Sequence, residues 1–328
     1  MEDVGVGRLE SGRDPGLRVI ALRDALQSVL CCPGCRGALA LEADSRTMRC
    51  QECAAAYPSY DGIPVFLPEG VVAQERERRF RDALAAEQAP HDGQAALEEV
   101  VGRHHCIPVM RRRAERFRAE FAPQEWLLDL GVGYGWHWAR RGEGARILGI
   151  DFSLGNLTVA RRLLGEDRED VVLVCADAAA LPLRDHTMTG LWSVQTFQHF
   201  PPEVLRAVLK ELERVLRAAC VIEAYNLQPA ALHRLLYRLL GKRLHCRGRL
   251  GEMELNRLTA RQWSDLWRTF RGGRSQIRTG YSELWFHPDL RLRPRRYPVR
   301  LEEALGGHAP MLASLIARQA QVRVEARP

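Results

Sequence analysis

Lysine is almost absent from this chain: Lys210 and Lys242 stand alone among 48 basic residues, so arginine carries nearly all the positive charge. Also missing is any apolar run near the roughly 18 residues that a membrane-spanning helix needs. The start, Met1-Glu2-Asp3-Val4-Gly5, has no basic stretch followed by an apolar one. A soluble, cytoplasmic protein is the expectation, and nine cysteines in such a setting argue against a disulfide framework.

What is present suits a large domain plus a small one: 328 residues, of which 46% are apolar. The net charge of +7 is unevenly spread, since from Arg234 to Arg300 basic residues outnumber acidic ones by roughly twelve. That region suits an anionic substrate, RNA or a membrane surface, and equally a merely solvated arginine-rich face.

Four cysteines have a specific reading. Cys32-Pro33-Gly34-Cys35 and Cys50-Gln51-Glu52-Cys53 are two CxxC pairs about fifteen residues apart, the spacing of a four-cysteine zinc ribbon. Two short turns that each present two thiolates close a tetrahedral site, so the expected Zn2+ is structural. Cys31 is a poorer ligand candidate because its spacing to Cys35 is longer. The flanking residues, with Tyr57-Pro58 and Asp61-Gly62-Ile63-Pro64 after the second pair, resemble the small zinc-ribbon family that activates methyltransferases of tRNA, rRNA and translation termination factors. The likeness covers residues 17 to 68, beginning at an amphipathic segment from Leu17 to Leu30. In that family the ribbon is usually a separate subunit; here it is fused in cis, which implies an accessory role in stability, docking or substrate contact.

Charged helical periodicity follows at Gln74 to Glu87 and Val109 to Phe121, read as connecting helices or a lid. His104-His105-Cys106 lacks a second ligand pair and is not expected to hold a metal. From Trp126 strands and helices alternate, which implies a parallel sheet covered on both faces. Strands are expected at Leu127 to Leu130, Ile147 to Ile150, Val171 to Cys175, Gly190 to Val194, Cys220 to Ala224, Gln276 to Trp285 and Gln321 to Glu325, the last antiparallel. The expected domains are a flexible N-terminus (1–16), the ribbon (17–70), a helical linker or lid (71–120) and a catalytic domain (121–328) with an insertion at 227–258.

The first of these strands runs through Asp129 into Gly131-Val132-Gly133-Tyr134-Gly135, and the second ends on Asp151. Glycines allow a tight turn and a close backbone approach to a ligand, and a carboxylate ending the next strand can take two ribose hydroxyls. This spacing resembles class I S-adenosylmethionine (SAM)-dependent methyltransferases. Ala176-Asp177-Ala178 through Asp185, then Gln195-Thr196-Phe197-Gln198-His199-Phe200, resemble their ubiquinone/menaquinone-biosynthesis type. The resemblance implies a Rossmann-like seven-stranded α/β sheet and SAM as cofactor. It places Asp129, Gly131, Gly133, Gly135 and Gln195 around the cofactor, Asp151 on the ribose, Phe152 near the adenine, and Asp177 and Ala178 at the adenine edge. Met188-Thr189 and Arg217-Ala218-Ala219 depart from the type's usual Phe-Asp and Pro-Gly-Gly, which puts the subfamily in doubt.

Methyl transfer from a sulfonium is an in-line displacement that asks mainly for positioning and exclusion of water. His199, after the fourth strand, is the candidate general base, or else it orients the following helix. Tyr225 and Glu223 are weaker pocket candidates. Arg234 and Arg238, on an amphipathic segment of the insertion, are candidates to cover an acceptor with apolar and anionic character. The fourth strand ends in Val194-Gln195-Thr196-Phe197, not Asn/Asp-Pro-Pro-Tyr/Phe, which disfavours amide or exocyclic-amine methylation, and no Pro-Cys pair supports attack on cytosine C5. The expected acceptor is an oxygen or nitrogen of a small metabolite, lipid precursor or natural product. An RNA methyltransferase and a non-catalytic SAM-binding partner protein are the alternatives, and a homo-oligomer is open.

Overall fold

A computed structural model describes residues 16–42, 46–67, 72–88, 107–165, 168–244, 246–250, 252–273, 275–284, 299–308 and 310–326. The His104-His105-Cys106 cluster and residues 1–15 lie outside these. Helix α1 (Gly16–Ser28) leads into four short strands, β1 (Leu39–Leu41), β2 (Thr47–Cys50), β3 (Ala56–Tyr60) and β4 (Ile63–Phe66). Two linker helices follow, α2 (Val72–Gln88) and α3 (Ile107–Ala119).

The strands expected from the apolar runs are all present: β5 (Trp126–Leu130), β6 (Arg146–Asp151), β7 (Val171–Ala176), β8 (Met188–Val194), β9 (Leu216–Leu227), β12 (Ser275–Ser282) and β13 (Gln319–Ala326). They lie in the order β7-β6-β5-β8-β9-β13-β12, parallel except β13, which is antiparallel to both neighbours. Side chains alternate between two cores, as the pleat requires. Leu128, Leu148 and Val172 face α1, α5 (Pro202–Val215) and α7 (Ala260–Arg268), whereas Leu127, Ile147 and Val171 face α3 and α4 (Leu154–Leu164). Helix α5 buries Leu205, Val208, Leu212 and Val215, one stripe at helical spacing.

Two features depart from the sequence expectation. The first is the ribbon, which does not stand apart as a domain. Strand β4 pairs parallel with β7, Val65 opposite Cys175 and Phe66 opposite Ala176, so the ribbon extends the sheet to eleven strands. Its core is continuous with that of the larger domain through Leu22, Leu26, Leu30 and Phe66. The Arg36 guanidinium also donates to the Leu181 carbonyl at 2.8 Å.

Second, no full helix joins β5 to β6. A single 3-10 turn, Trp136–Trp138, stands there. The face it leaves uncovered is filled by α3 from upstream, which buries Met110, Ala114 and Phe117 against Trp138 and Trp192.

The insertion forms α6 (Ala231–Leu239) and a hairpin of β10 (Arg247–Leu250) and β11 (Met253–Asn256). Helices α8 (Val299–His308) and α9 (Pro310–Ile316) precede the last strand.

Candidate active site

The C-terminal ends of β5 to β8 gather the residues singled out by the glycine motif. Gly131, Gly133 and Gly135 all have positive φ, at 73°, 55° and 66°. They differ in what surrounds them. A Cβ on Gly131 would sit 2.1 Å from Thr196 Oγ1, and one on Gly135 would sit 3.2 Å from Leu164 Cδ1, so these two glycines let protein pack closely. At Gly133 nothing lies within 4 Å, which leaves that backbone open to a ligand.

Asp151 ends β6 beneath this turn, and its two oxygens organise it. Oδ2 accepts the Gly133 N–H at 2.9 Å, and Oδ1 accepts the Ser153 N–H at 2.9 Å and the Asn156 amide at 3.4 Å. Burial pushes its pKa up, opposed by these backbone donors. A carboxylate offers about four lone-pair sites; with three donors in place, acceptor capacity remains on Oδ2 for a ribose hydroxyl. Ser153 also caps α4 by accepting the Asn156 N–H.

Asp129 is buried on β5, opposite Gly149 of β6. Its Oδ2 accepts the Trp138 indole N–H at 2.6 Å, and burial raises its pKa to about 7 despite that bond. Asp177, directly after β7, accepts the Ala179 N–H at 2.8 Å; burial raises its pKa too. Ala178 is half-buried beside it, and the Phe152 carbonyl accepts from the Cys175 thiol at 3.6 Å. Together these groups put three carboxylates at the ends of adjacent strands, a set of acceptors that suits a nucleoside carrying an amino-acid tail.

Helix α2, read from the sequence as a connecting helix or a lid, packs on α4 at this edge. Asp82 Oδ1 accepts the Ser153 hydroxyl at 2.6 Å and the Gly155 N–H at 2.9 Å. Gly155 is required there, since a Cβ would meet Asp82 Cα at 2.9 Å. The residue preceding Asp82, Arg81, approaches His199 Nε2 at 3.3 Å, and Glu77, one turn earlier, lies 3.5 Å from His199 Nδ1 and 3.1 Å from Arg81. A guanidinium only donates, so Nε2 is the acceptor in this arrangement and Nδ1–H faces Glu77. His199 thus stands just after β8 with its Nε2 engaged by Arg81 of α2.

The remaining candidates fall elsewhere. Gln195, itself at φ 57°, donates its amide to Glu283 Oε1 at 3.2 Å, on the β12 side of the site. Tyr225 is fully buried; it donates its hydroxyl to Glu223 at 2.9 Å and packs on Trp192 beneath Arg113. Its ring therefore belongs to the core. Arg234 and Arg238 are exposed on α6, outside the network around His199.

A second site lies in the ribbon. The sulfurs of Cys32, Cys35, Cys50 and Cys53 lie within 4.8 Å of one another, with Cys32 to Cys53 at 3.8 Å and Cys35 to Cys50 at 3.4 Å. Zinc–thiolate bonds of ~2.3 Å put tetrahedral sulfurs about 3.8 Å apart, so the donor set fits that ion. Cys31 is turned away: buried, it donates its backbone N–H to the Pro182 carbonyl.

Comparison with known proteins agrees with this geometry. A family model described as a methyltransferase domain matches residues 127–219. Methyltransferase GfsG of Streptomyces halstedii is 37% identical over 95 residues, covering 28% of this chain and 34% of that protein. The chain spans about a third to a half of the curated methyltransferases it matches. A UPF0434 protein of Coxiella burnetii (strain Dugway 5J108-111) is 43% identical over 44 residues, 13% of this chain and 79% of that protein. Among solved structures, phosphoethanolamine N-methyltransferase 1 of Haemonchus contortus aligns with a TM-score of 0.50 at 12% identity, over 78% of this chain and 50% of that one, a likeness of fold. The chain therefore carries a methyltransferase domain with the α/β methyltransferase fold, and through its 44-residue match it belongs to the UPF0434 family.

Proposed function

We propose that this protein is a SAM-dependent methyltransferase that methylates an oxygen or nitrogen of a small metabolite, lipid precursor or natural product. The observation that carries the proposal is the cradle of three left-handed glycines above buried Asp151, open only at Gly133. Bound there, SAM supplies an electrophilic sulfonium methyl. Asp151 would hold the ribose, Asp177 and Ala178 would meet the adenine edge, and Asp129, when ionised, would offset the ammonium of the amino-acid tail. The Asp177 segment and His199 favour the ubiquinone/menaquinone-biosynthesis type.

Helix α2 excludes water from the cofactor side, and its Arg81 and Glu77 hold His199. His199 takes the acceptor proton only when its Nε2 is released by Arg81, which makes entry of the acceptor and freeing of the base one event. The four ribbon thiolates would hold a structural zinc. Calorimetry tests the cofactor assignment: the wild-type chain binds SAM, and Asp151→Ala weakens binding at least thirtyfold. Unchanged affinity in that variant would refute the reading.

A further inference from the structure

The insertion and the segment before the last strand leave an unusual surface. Helices α6 and α9 lie side by side, tied by Gln228, whose amide donates to the Ala317 carbonyl at 2.9 Å. Helix α6 buries His233 and Tyr237, α9 buries Ala313, and Ala317 just after it is buried too. Their other faces put Leu232, Leu235 and Leu239 of α6, and Met311, Leu312 and Leu315 of α9, into solvent. The exposure is not marginal: 73% for Leu239 and 84% for Met311. Isolated exposed leucines are ordinary, but six large aliphatic side chains on two touching helices form a patch of the kind that marks an interaction surface.

Charge identifies what the patch meets. At 100° per residue, Leu232, Leu235 and Leu239 make one stripe of α6, and Arg234 and Arg238 make the adjoining exposed stripe. Lys242 and Arg243 continue the basic row, and no acidic residue occurs between Glu223 and Glu252. An apolar stripe edged by arginines is the pattern of a helix lying in a membrane interface, its leucines among acyl chains and its guanidinium groups at anionic headgroups. A second copy of the chain is a poor occupant, because it would bring the same basic row against this one. RNA is poorer still, since aliphatic side chains give bases nothing to stack on. A protein partner would be expected to find an aromatic anchor, and none stands exposed in the patch among the described residues.

We infer that the α6–α9 face docks the protein on an anionic lipid surface. The inference stands on the patch alone and does not depend on methyl transfer. Flotation of the full chain with vesicles tests it, using phosphatidylcholine alone or mixed with phosphatidylglycerol, at low and high salt. The expected result is recovery with anionic vesicles at least tenfold above neutral ones, falling with salt. Leu239→Glu combined with Met311→Glu should abolish recovery while the melting temperature stays at the wild-type value. Arg234→Glu with Arg238→Glu should remove the salt-sensitive part. No recovery with anionic vesicles overturns the inference, as does wild-type recovery of both double variants. Concentration-dependent dimerisation lost in Leu239→Glu/Met311→Glu, without flotation, would assign the face to self-association and overturn it equally.

Discussion

Three aspartates end three neighbouring strands, and their surroundings assign them different work. Asp151 has its lone pairs shared among backbone donors and keeps the glycine turn in place. Asp129 is held by one indole N–H in the core, with its pKa raised to about 7. A raised carboxyl pKa means the native state keeps a proton the unfolded chain has lost. Stability therefore declines as pH rises from about 4 to about 7, and the full penalty stands above that. Asp129→Asn keeps an oxygen for Trp138 and removes the buried charge, so it should raise the melting temperature at pH 8 and change little at pH 4. The gain should reach at most about 4 kcal/mol; the same variant should bind SAM more weakly at pH 8. Thermal denaturation at the two pH values checks the first effect and calorimetry the second.

The glycines allow a second residue-scale test. Gly131→Ala would drive a Cβ into Thr196 and should unfold or strongly destabilise the chain, whereas Gly133→Ala meets nothing and should cost about 1 kcal/mol for its positive φ. Only the second variant should combine a near-normal melting temperature with lost SAM affinity. Asp151, Asp177 and the glycines were legible because their chemistry is local to strand ends. The Trp138 partner of Asp129 was not, because it depends on a 3-10 turn taking the place of the usual helix.

At the scale of elements, α2 was legible as a helix, but its contacts were not. Glu77, Arg81 and Ala85 are spaced i, i+4, i+8, but a helix with so many i, i+4 charge pairs reads as solvated. Only the fold reveals that this stripe faces His199 and α4, whose residues lie roughly 70 to 120 positions later. Asp82 is the tie, and Asp82→Ala leaves the Ser153 hydroxyl and the Gly155 N–H without their acceptor. Denaturant unfolding should show a loss of about 1–3 kcal/mol, with Asp82→Asn milder because it keeps one accepting oxygen. Equal stability of Asp82→Ala and wild type would mean that α2 does not close the site. Strands β5 to β8, by contrast, were read to within two residues, since a buried parallel sheet imposes continuous apolar runs, whereas β9 runs on at both ends beyond its apolar stretch.

For the whole molecule, the sequence suggested a ribbon beside a catalytic domain, and the structure joins them edge to edge. CxxC spacing is visible in a sequence; the pairing of Val65 and Phe66 with Cys175 and Ala176 is not, because it links segments over a hundred residues apart. The junction lies immediately before Asp177, so metal at the ribbon and cofactor at the sheet should be coupled. Zinc content near one per chain is expected; its removal by chelation, or Cys50→Ser, should lower the melting temperature and also weaken SAM binding. Chelation that leaves both unchanged would separate the ribbon from the site.

The central claim is methyl transfer to a small acceptor. Its most direct measurement incubates the full chain with methyl-labelled SAM and fractionated host extract, with Asp151→Ala as the control. The account predicts label in the small-molecule fraction that disappears in the variant; no transfer, or label confined to RNA, would contradict it.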